Sequence, residues 1–278
     1  MKGLRLATVL IGFATLSLGA SGQDGFFYKW DDRVRSTLAQ QPLWPVPLFA
    51  PSSNLTQLFR YDIVRQITPA GTDTWNYGFS KGFALIPWYN TEVDVNIPPY
   101  VQHNSSVHDG FGDFGTVVKY RFASSNLENG GYSIAASMTT TFPTGSYQNG
   151  APHATLAPTL HAGKGYKNFD IVTSIGAALP VADSGRIGRP VLWNVVGQCR
   201  IHKIFWPEVG NNATFFHGGP NDDRVQNFVS LGLVVSPIKL TRDPKSRLGF
   251  ILGIGEQIAT THFHTYNYGL MLDARFVF

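Results

Sequence analysis

The last eleven residues, Tyr268-Gly-Leu-Met-Leu-Asp-Ala-Arg-Phe-Val-Phe278, constrain the fold more than any other stretch. In an extended chain successive side chains point to opposite faces. One face then carries Tyr268, Leu270, Leu272, Ala274, Phe276 and Phe278, all apolar, and the other carries Gly269, Met271, Asp273, Arg275 and Val277, mostly polar or small. An edge strand of a soluble sheet can alternate in this way too. An apolar face toward lipid, a polar face toward a lumen and aromatic rims are what a strand of a membrane barrel requires. The expected fold class is therefore all-β, an antiparallel transmembrane β-barrel.

The other end of the chain agrees. Lys2 and Arg5 precede a charge-free apolar run from Leu6 to Leu18, and Ala20-Ser-Gly22 supplies small residues for a signal peptidase. Residues 1–22 thus read as a secretory signal cleaved before Gln23; the run is shorter than the roughly 20 apolar residues of a spanning helix. Beyond it no stretch of 18 apolar residues occurs, so no transmembrane helix is expected. An exported chain with no helical anchor and this C-terminus is expected in the outer membrane of a Gram-negative-type bacterium. Its expected partners are outer-membrane lipid and the barrel assembly machinery, with Tyr268, Phe276 and Phe278 as the membrane-insertion signal. The lone Cys199 gives no internal disulfide framework. Charged residues make up only 14% of the chain against 29 glycines, which argues against disorder and long helices. Lys and Arg do not cluster, so nucleic acid is not expected as a partner.

Residues 23–54 stand apart. Asp31-Asp-Arg-Val-Arg35 is followed by Pro42, Pro45, Pro47 and Pro51, the pattern of a short helix and an extended, irregular periplasmic lead-in. Residues 55–278 carry alternating segments near 57–68, 74–86, 88–97, 113–122, 131–142, 154–162, 169–179, 190–202, 225–236, 248–256 and 268–278. Turn signals separate them at Glu128-Asn-Gly-Gly131, Pro143-Thr-Gly145, Gly163-Lys-Gly165, Asp183-Ser-Gly185 and Asp243-Pro244. That is eleven segments; single-chain bacterial barrels use even numbers, so twelve strands are expected, with ten as the fallback. If the last strand ends in the periplasm, the longest connection, Lys203 to Arg224, becomes an outer loop.

Gly110-Phe-Gly-Asp113 running into Lys119-Tyr-Arg121, then the alternating strand ending Phe142-Pro-Thr-Gly145, resembles the outer-membrane family named for the meta-cleavage (MetA) pathway of phenol degradation. Asn227-Phe-Val-Ser-Leu-Gly-Leu233 and terminal Phe278 fit the same pattern, and the resemblance covers roughly residue 55 to the end. It implies a barrel of about twelve strands and passage of small organic compounds.

Alternation places Asp113, Lys119 and Arg121 opposite Phe114, Val118 and Tyr120, and Asp273 and Arg275 opposite the apolar face of the last strand. These five are the candidate lumen-lining residues, because charge within a membrane must meet water or a partner. They could tune which solutes pass, or form an interior network that fills a narrow barrel. Trp88, Tyr120, Trp193 and Tyr268 are expected near the interfaces or along the route. His262 and His264 share a face in an extended chain, but no third ligand stands near them, so no metal site is expected. Gly249-Phe-Ile-Leu-Gly-Ile-Gly255 lacks a Walker lysine and a following helix, so no phosphate cradle is expected. The expected function is a channel or uptake pore for small organic solutes, aromatic or otherwise apolar ones among them, with no catalytic residues and no cofactor. A structural or adhesive barrel with a filled lumen and partner-binding outer loops is the alternative, and an outer-membrane barrel hydrolase the second. N-terminal sequencing of protein from the membrane fraction should find a start at or near Gln23. An intact Met1 on folded protein would overturn the signal assignment.

Overall fold

The computed structural model of the chain describes residues 26–146, 148–243 and 246–278. The expected signal, residues 1–22, and Pro244 of the expected turn lie outside the described residues. Among the described residues no helix is long and apolar enough to cross a membrane. The membrane is crossed by strands.

After helix α1 (Phe26–Ala39), the chain winds antiparallel through twelve staves. The first is β1 (Leu58–Ile67), and the second is broken into β2 (Asp73–Gly78) and β3 (Gly82–Trp88). The third comprises β4 (Thr91–Asn96) and β5 (Tyr100–His103), the fourth β6 (Gly110–Phe111) and β7 (Phe114–Ser125). Then come β8 (Tyr132–Phe142), β9 (Thr155–Tyr166), and β10 (Phe169–Ala177) continued by β11 (Leu179–Pro180). Helix α2 (Ser184–Ile187) follows, then β12 (Val191–Cys199), β13 (Phe205–Phe215), β14 (Val225–Lys239), β15 (Gly249–Ala259) and β16 (Tyr268–Val277). Neighbours in sequence are neighbours in the sheet, and β16 returns to β1 with register Leu58↔Val277 through Ile67↔Tyr268. The ring is closed, which leaves no edge strand to aggregate.

The alternation expected from sequence is what orients every wall residue. Val118, Tyr120, Phe122, Leu160, Ile175, Leu231, Ile254 and Leu272 face outward and are about half exposed, a belt of apolar surface too large to leave in water. Arg60, Asp62, Glu92, Lys119, Arg121, Asp170, Glu208, Asp273 and Arg275 face inward and are buried. This inverted distribution defines a transmembrane barrel. Tyr268 and Phe276 lie on the outward face; Phe276 packs against Phe250 and Phe278, and the terminal carbonyl of Phe278 accepts a hydrogen bond from Arg247.

The twelfth strand is where the sequence shows a loop. Lys203–Arg224 is not one long outer connection: β13 occupies half of it, and only residues 216–224 form the connection at the end opposite the C-terminus. Asn211-Asn212 read as a turn, yet both amides are satisfied across the sheet. Asn212 donates to the Phe49 carbonyl at 3.0 Å and to Asn194 at 2.8 Å, and Asn211 accepts from Asn227 at 2.9 Å. Pro207 stands just beyond the last β12–β13 pair, Gln198↔Glu208, near the strand start where a missing N–H is tolerated. Gly163-Lys-Gly165 is likewise no turn. It continues β9, and the reversal comes at residues 167–168, with Lys167 in the left-handed region.

The segment between α1 and β1 enters the barrel. Helix α1 lies across the mouth at the C-terminal end, where Asp31 meets Arg247 at 3.4 Å and Val34 packs with Leu55 and Ile86. The chain then rises into the lumen and returns to begin β1. Its four prolines explain how this is possible without a sheet. They delete backbone donors, so the segment presents mainly carbonyls, and the wall supplies donors to them. Arg275 donates to Val46 at 2.6 Å, Arg60 to Leu48 at 2.9 Å, and Ser133 to Ser53 at 3.0 Å. Glycines in the wall make the space. A Cβ on Gly165 would stand 2.7 Å from the Trp44 ring, one on Gly253 2.5 Å from Leu48, and one on Gly255 2.7 Å from Phe49. The Gly-rich stretch 249–255 is thus a strand shaped around the inserted segment. Gly163→Val with Gly165→Val should leave the sheet intact but overpack Trp44, at a cost of about 1–3 kcal/mol. Limited proteolysis should then cut within residues 40–57 while the barrel keeps its heat-modifiable migration. An uncut segment would refute this packing role.

Candidate functional site: a charged cavity beside the inserted segment

The inserted segment does not fill the lumen evenly. Its Trp44 and Leu48 pack against inward Val64, Val172, Trp206, Val234, Ile251 and Met271. On its other side, toward β3, β4, β7, β8 and β9, a cavity of about 480 Å³ remains. Leu48, Phe49 and Ala50 of the segment form one wall, and Ser137, Thr139 and Thr141 of β8 form a hydroxyl row in another. Lys81, Glu92, Asp94, Asp113, Lys119 and His161 supply titratable groups.

The five residues expected to line the lumen all belong to the interior, but they do different work. Lys119 and Asp113 border the cavity. Lys119 forms an ion pair with Glu92, whose other oxygen accepts from the Thr56 backbone N–H and, at 3.0 Å, from its hydroxyl. Asp113 accepts from the backbone N–H groups of Gly145 at 3.0 Å and Ala151 at 2.6 Å, fixing the loop after β8 over the far rim. Arg121 does not face open space. It donates to the Thr37 carbonyl at 3.0 Å and to Gln41 and Asn90 at 2.6 Å each, tying α1 to the wall.

Asp273 and Arg275 form the seam between the first and last strands. Arg275 lies opposite Arg60, and Asp273 opposite Asp62. Like charges directly opposite would repel, but here the Arg60 guanidinium lies 2.9 Å from Asp62 and 3.0 Å from Asp273, and Arg275 lies 2.8 Å from Asp273. Arg60 and the Nη1 of Arg275 also reach carbonyls of the inserted segment, while Nη2 of Arg275 has no hydrogen-bond partner. Arg275 also borders the cavity.

Sequence reasoning missed Lys81, Glu92, Asp94 and His161. Glu92, Asp94 and Asn96 alternate with Val93 and Val95, a signal as clear as that of β7. His161 shares its face with Thr159 and Gly163, and hydrogen-bonds Ser137 at 2.8 Å. Lys81 carries no periodic signal, because it stands in the break between β2 and β3. His262 and His264 lie in the connection before β16 rather than on a strand; His264 is used by Thr261 and Asn267. Among the described residues no group of three or more His, Cys, Asp or Glu could hold a metal ion.

No family model and no curated protein sequence matches the chain. Solved structures do. The COG4313 outer membrane channel from Pseudomonas putida F1 superposes with a TM-score of 0.54 at 13% identity, covering 84% of this chain and 100% of that one. The NanC porin superposes with a TM-score of 0.51 at 9% identity, covering 80% of this chain and 99% of that one. The fold is therefore that of the porin-like, twelve-stranded antiparallel membrane barrels.

Arg275→Met should test the seam. It leaves Asp273 with one cation and the Val46 carbonyl with no donor, and breaking a buried pair costs about 3–5 kcal/mol. The temperature at which the folded band converts to the unfolded one should fall clearly. An unchanged midpoint would remove the seam's supporting role.

Proposed function

We propose that the chain is an outer-membrane channel through which small organic solutes pass along the cavity beside the inserted segment. One observation carries this reading: inside a closed barrel with an apolar exterior, a space of about 480 Å³ bordered by charged and apolar side chains stays open along β3, β4 and β7–β9. Rings of charged side chains at close quarters are how such pores select. The two solved structures with this architecture support the reading, since one is an outer membrane channel and the other a porin. Membership in the phenol-degradation family belongs to the same proposal. It is supported by the placement of Gly110–Asp113 where β6 passes into β7, with Asp113 ordering the loop after Phe142. The reading assigns no catalytic step. Lipid surrounds the belt, and the assembly machinery takes Phe278 as its terminal signal.

The inserted segment also favours the alternative of a filled structural barrel, because it occupies one side of the lumen. Conductance separates the two. Wild-type protein in planar bilayers should pass ions, and deletion of residues 42–54 should raise the conductance about twofold or more by widening the narrowest level. Absence of conductance and of solute uptake into liposomes by wild-type protein would make the filled barrel the correct reading.

A further inference from the structure

The second stave is interrupted at an unusual place. Between β2 and β3, Gly78, Phe79 and Ser80 have φ of +95°, +44° and +51°. Two of these are side-chain-bearing residues in the left-handed region, a conformation that persists only where the surroundings enforce it. They are enforced: Asn76 accepts from the Phe79 N–H at 3.0 Å, the Lys81 N–H donates to Gly78 at 2.9 Å, and the Ile97 N–H donates to Lys81 at 3.0 Å. The break delivers Phe79 and Lys81 to the cavity.

What Lys81 meets there differs from what every other interior cation meets. Lys119 has Glu92, Arg121 has Gln41 and Asn90, and Arg60 and Arg275 have the seam aspartates. The Lys81 ammonium acts electrostatically with Arg60, Asp62, Asp94 and Arg275. Among the described residues, however, it forms no ion pair within 4.0 Å. Asp94, inward on β4, faces the same cavity, and its buried Oδ1 has no hydrogen-bond partner. An ammonium and a carboxyl group, the latter beside Glu92 and with its Oδ1 unpartnered, thus border one space without closing on each other, between the hydroxyls of β8 and the apolar side chains Leu48, Phe49 and Phe79.

Resting on the channel reading above, we propose that the cavity recognises small zwitterions: amino-acid-like solutes with a carboxylate for Lys81, an ammonium for Asp94 and an apolar body for the inserted segment. A carboxylate alone would leave Asp94 without a partner, and an amine alone would leave Lys81 so. Buried groups left unpaired are what reject the wrong solute. The volume falls within the range of small-molecule sites.

The full-length mature protein, folded in detergent, is titrated calorimetrically with L-phenylalanine, phenylacetate and 2-phenylethylamine. These three probes share the benzyl group and carry, respectively, both charges, the carboxylate alone and the ammonium alone. Phenylalanine should bind at least tenfold tighter than either of the others. Lys81→Met should reduce its affinity at least tenfold, to that of the amine, and Asp94→Asn should reduce it to that of phenylacetate, both in heat-modifiable barrels. Phenylalanine binding no tighter than both single-charge probes overturns the proposal using wild-type protein alone, whatever the variants do. Conductance with no such preference keeps the channel and removes the zwitterion site. The preference without conductance keeps the site and removes the channel.

Discussion

The charged seam between β1 and β16 is the constraint on which the rest of the structure depends. Closing a sheet into a ring brings its first and last strands together, and here that junction places two arginines and two aspartates side by side in the lumen. Their interlocked pairing makes the buried charge tolerable. The same guanidinium groups then donate to Val46 and Leu48, so that barrel closure and docking of the inserted segment share one set of side chains. Removing the segment would leave those donors aimed into the lumen, and opening the seam would leave the segment's carbonyls unanswered. Each feature supports the other, because buried polar groups are stabilised by being paired.

The inserted segment in turn shapes what remains of the lumen. A barrel of twelve strands is wide enough to need filling or to carry water. Prolines and wall glycines bring Trp44, Leu48 and Phe49 against β9, β14 and β15, where close approach is possible only without a Cβ. The opposite wall keeps larger polar residues and meets the segment at fewer points, Ser133 and Glu92 among them. The cavity is the consequence of this asymmetry, and its lining combines an apolar side from the segment with a charged side from β3, β4 and β7.

Glu92 shows how the two systems meet. It pairs with Lys119 across the β4–β7 ladder and holds Thr56, the last part of the segment before β1 begins. A single carboxylate therefore sets both the charge at the cavity edge and the exit of the segment from the lumen. Asp113 performs the corresponding task at the far rim, where two backbone donors hold the loop after β8.

Period-two alternation by itself determined the fold class, eleven of the twelve strands and the facing of each wall residue named from it, Lys119, Arg121, Asp273 and Arg275 included. It could do so because lipid outside and charge inside impose opposite requirements on consecutive residues. It failed at β13, where Pro207 and Asn211-Asn212 carry the composition of a turn and only cross-strand amide pairing makes them a strand. The partners of those inward charges were decided by tertiary structure alone. Arg121 is an anchor for helix α1, and Arg275 borders the cavity while also anchoring the Pro-rich segment that looks external, because Thr37 and Val46 contribute the carbonyls they need. Lys81 was beyond sequence reasoning altogether: its direction is set by three left-handed residues, held by the Asn76 side chain, the Gly78 carbonyl and the Ile97 N–H and not by the side chains of Phe79 and Ser80.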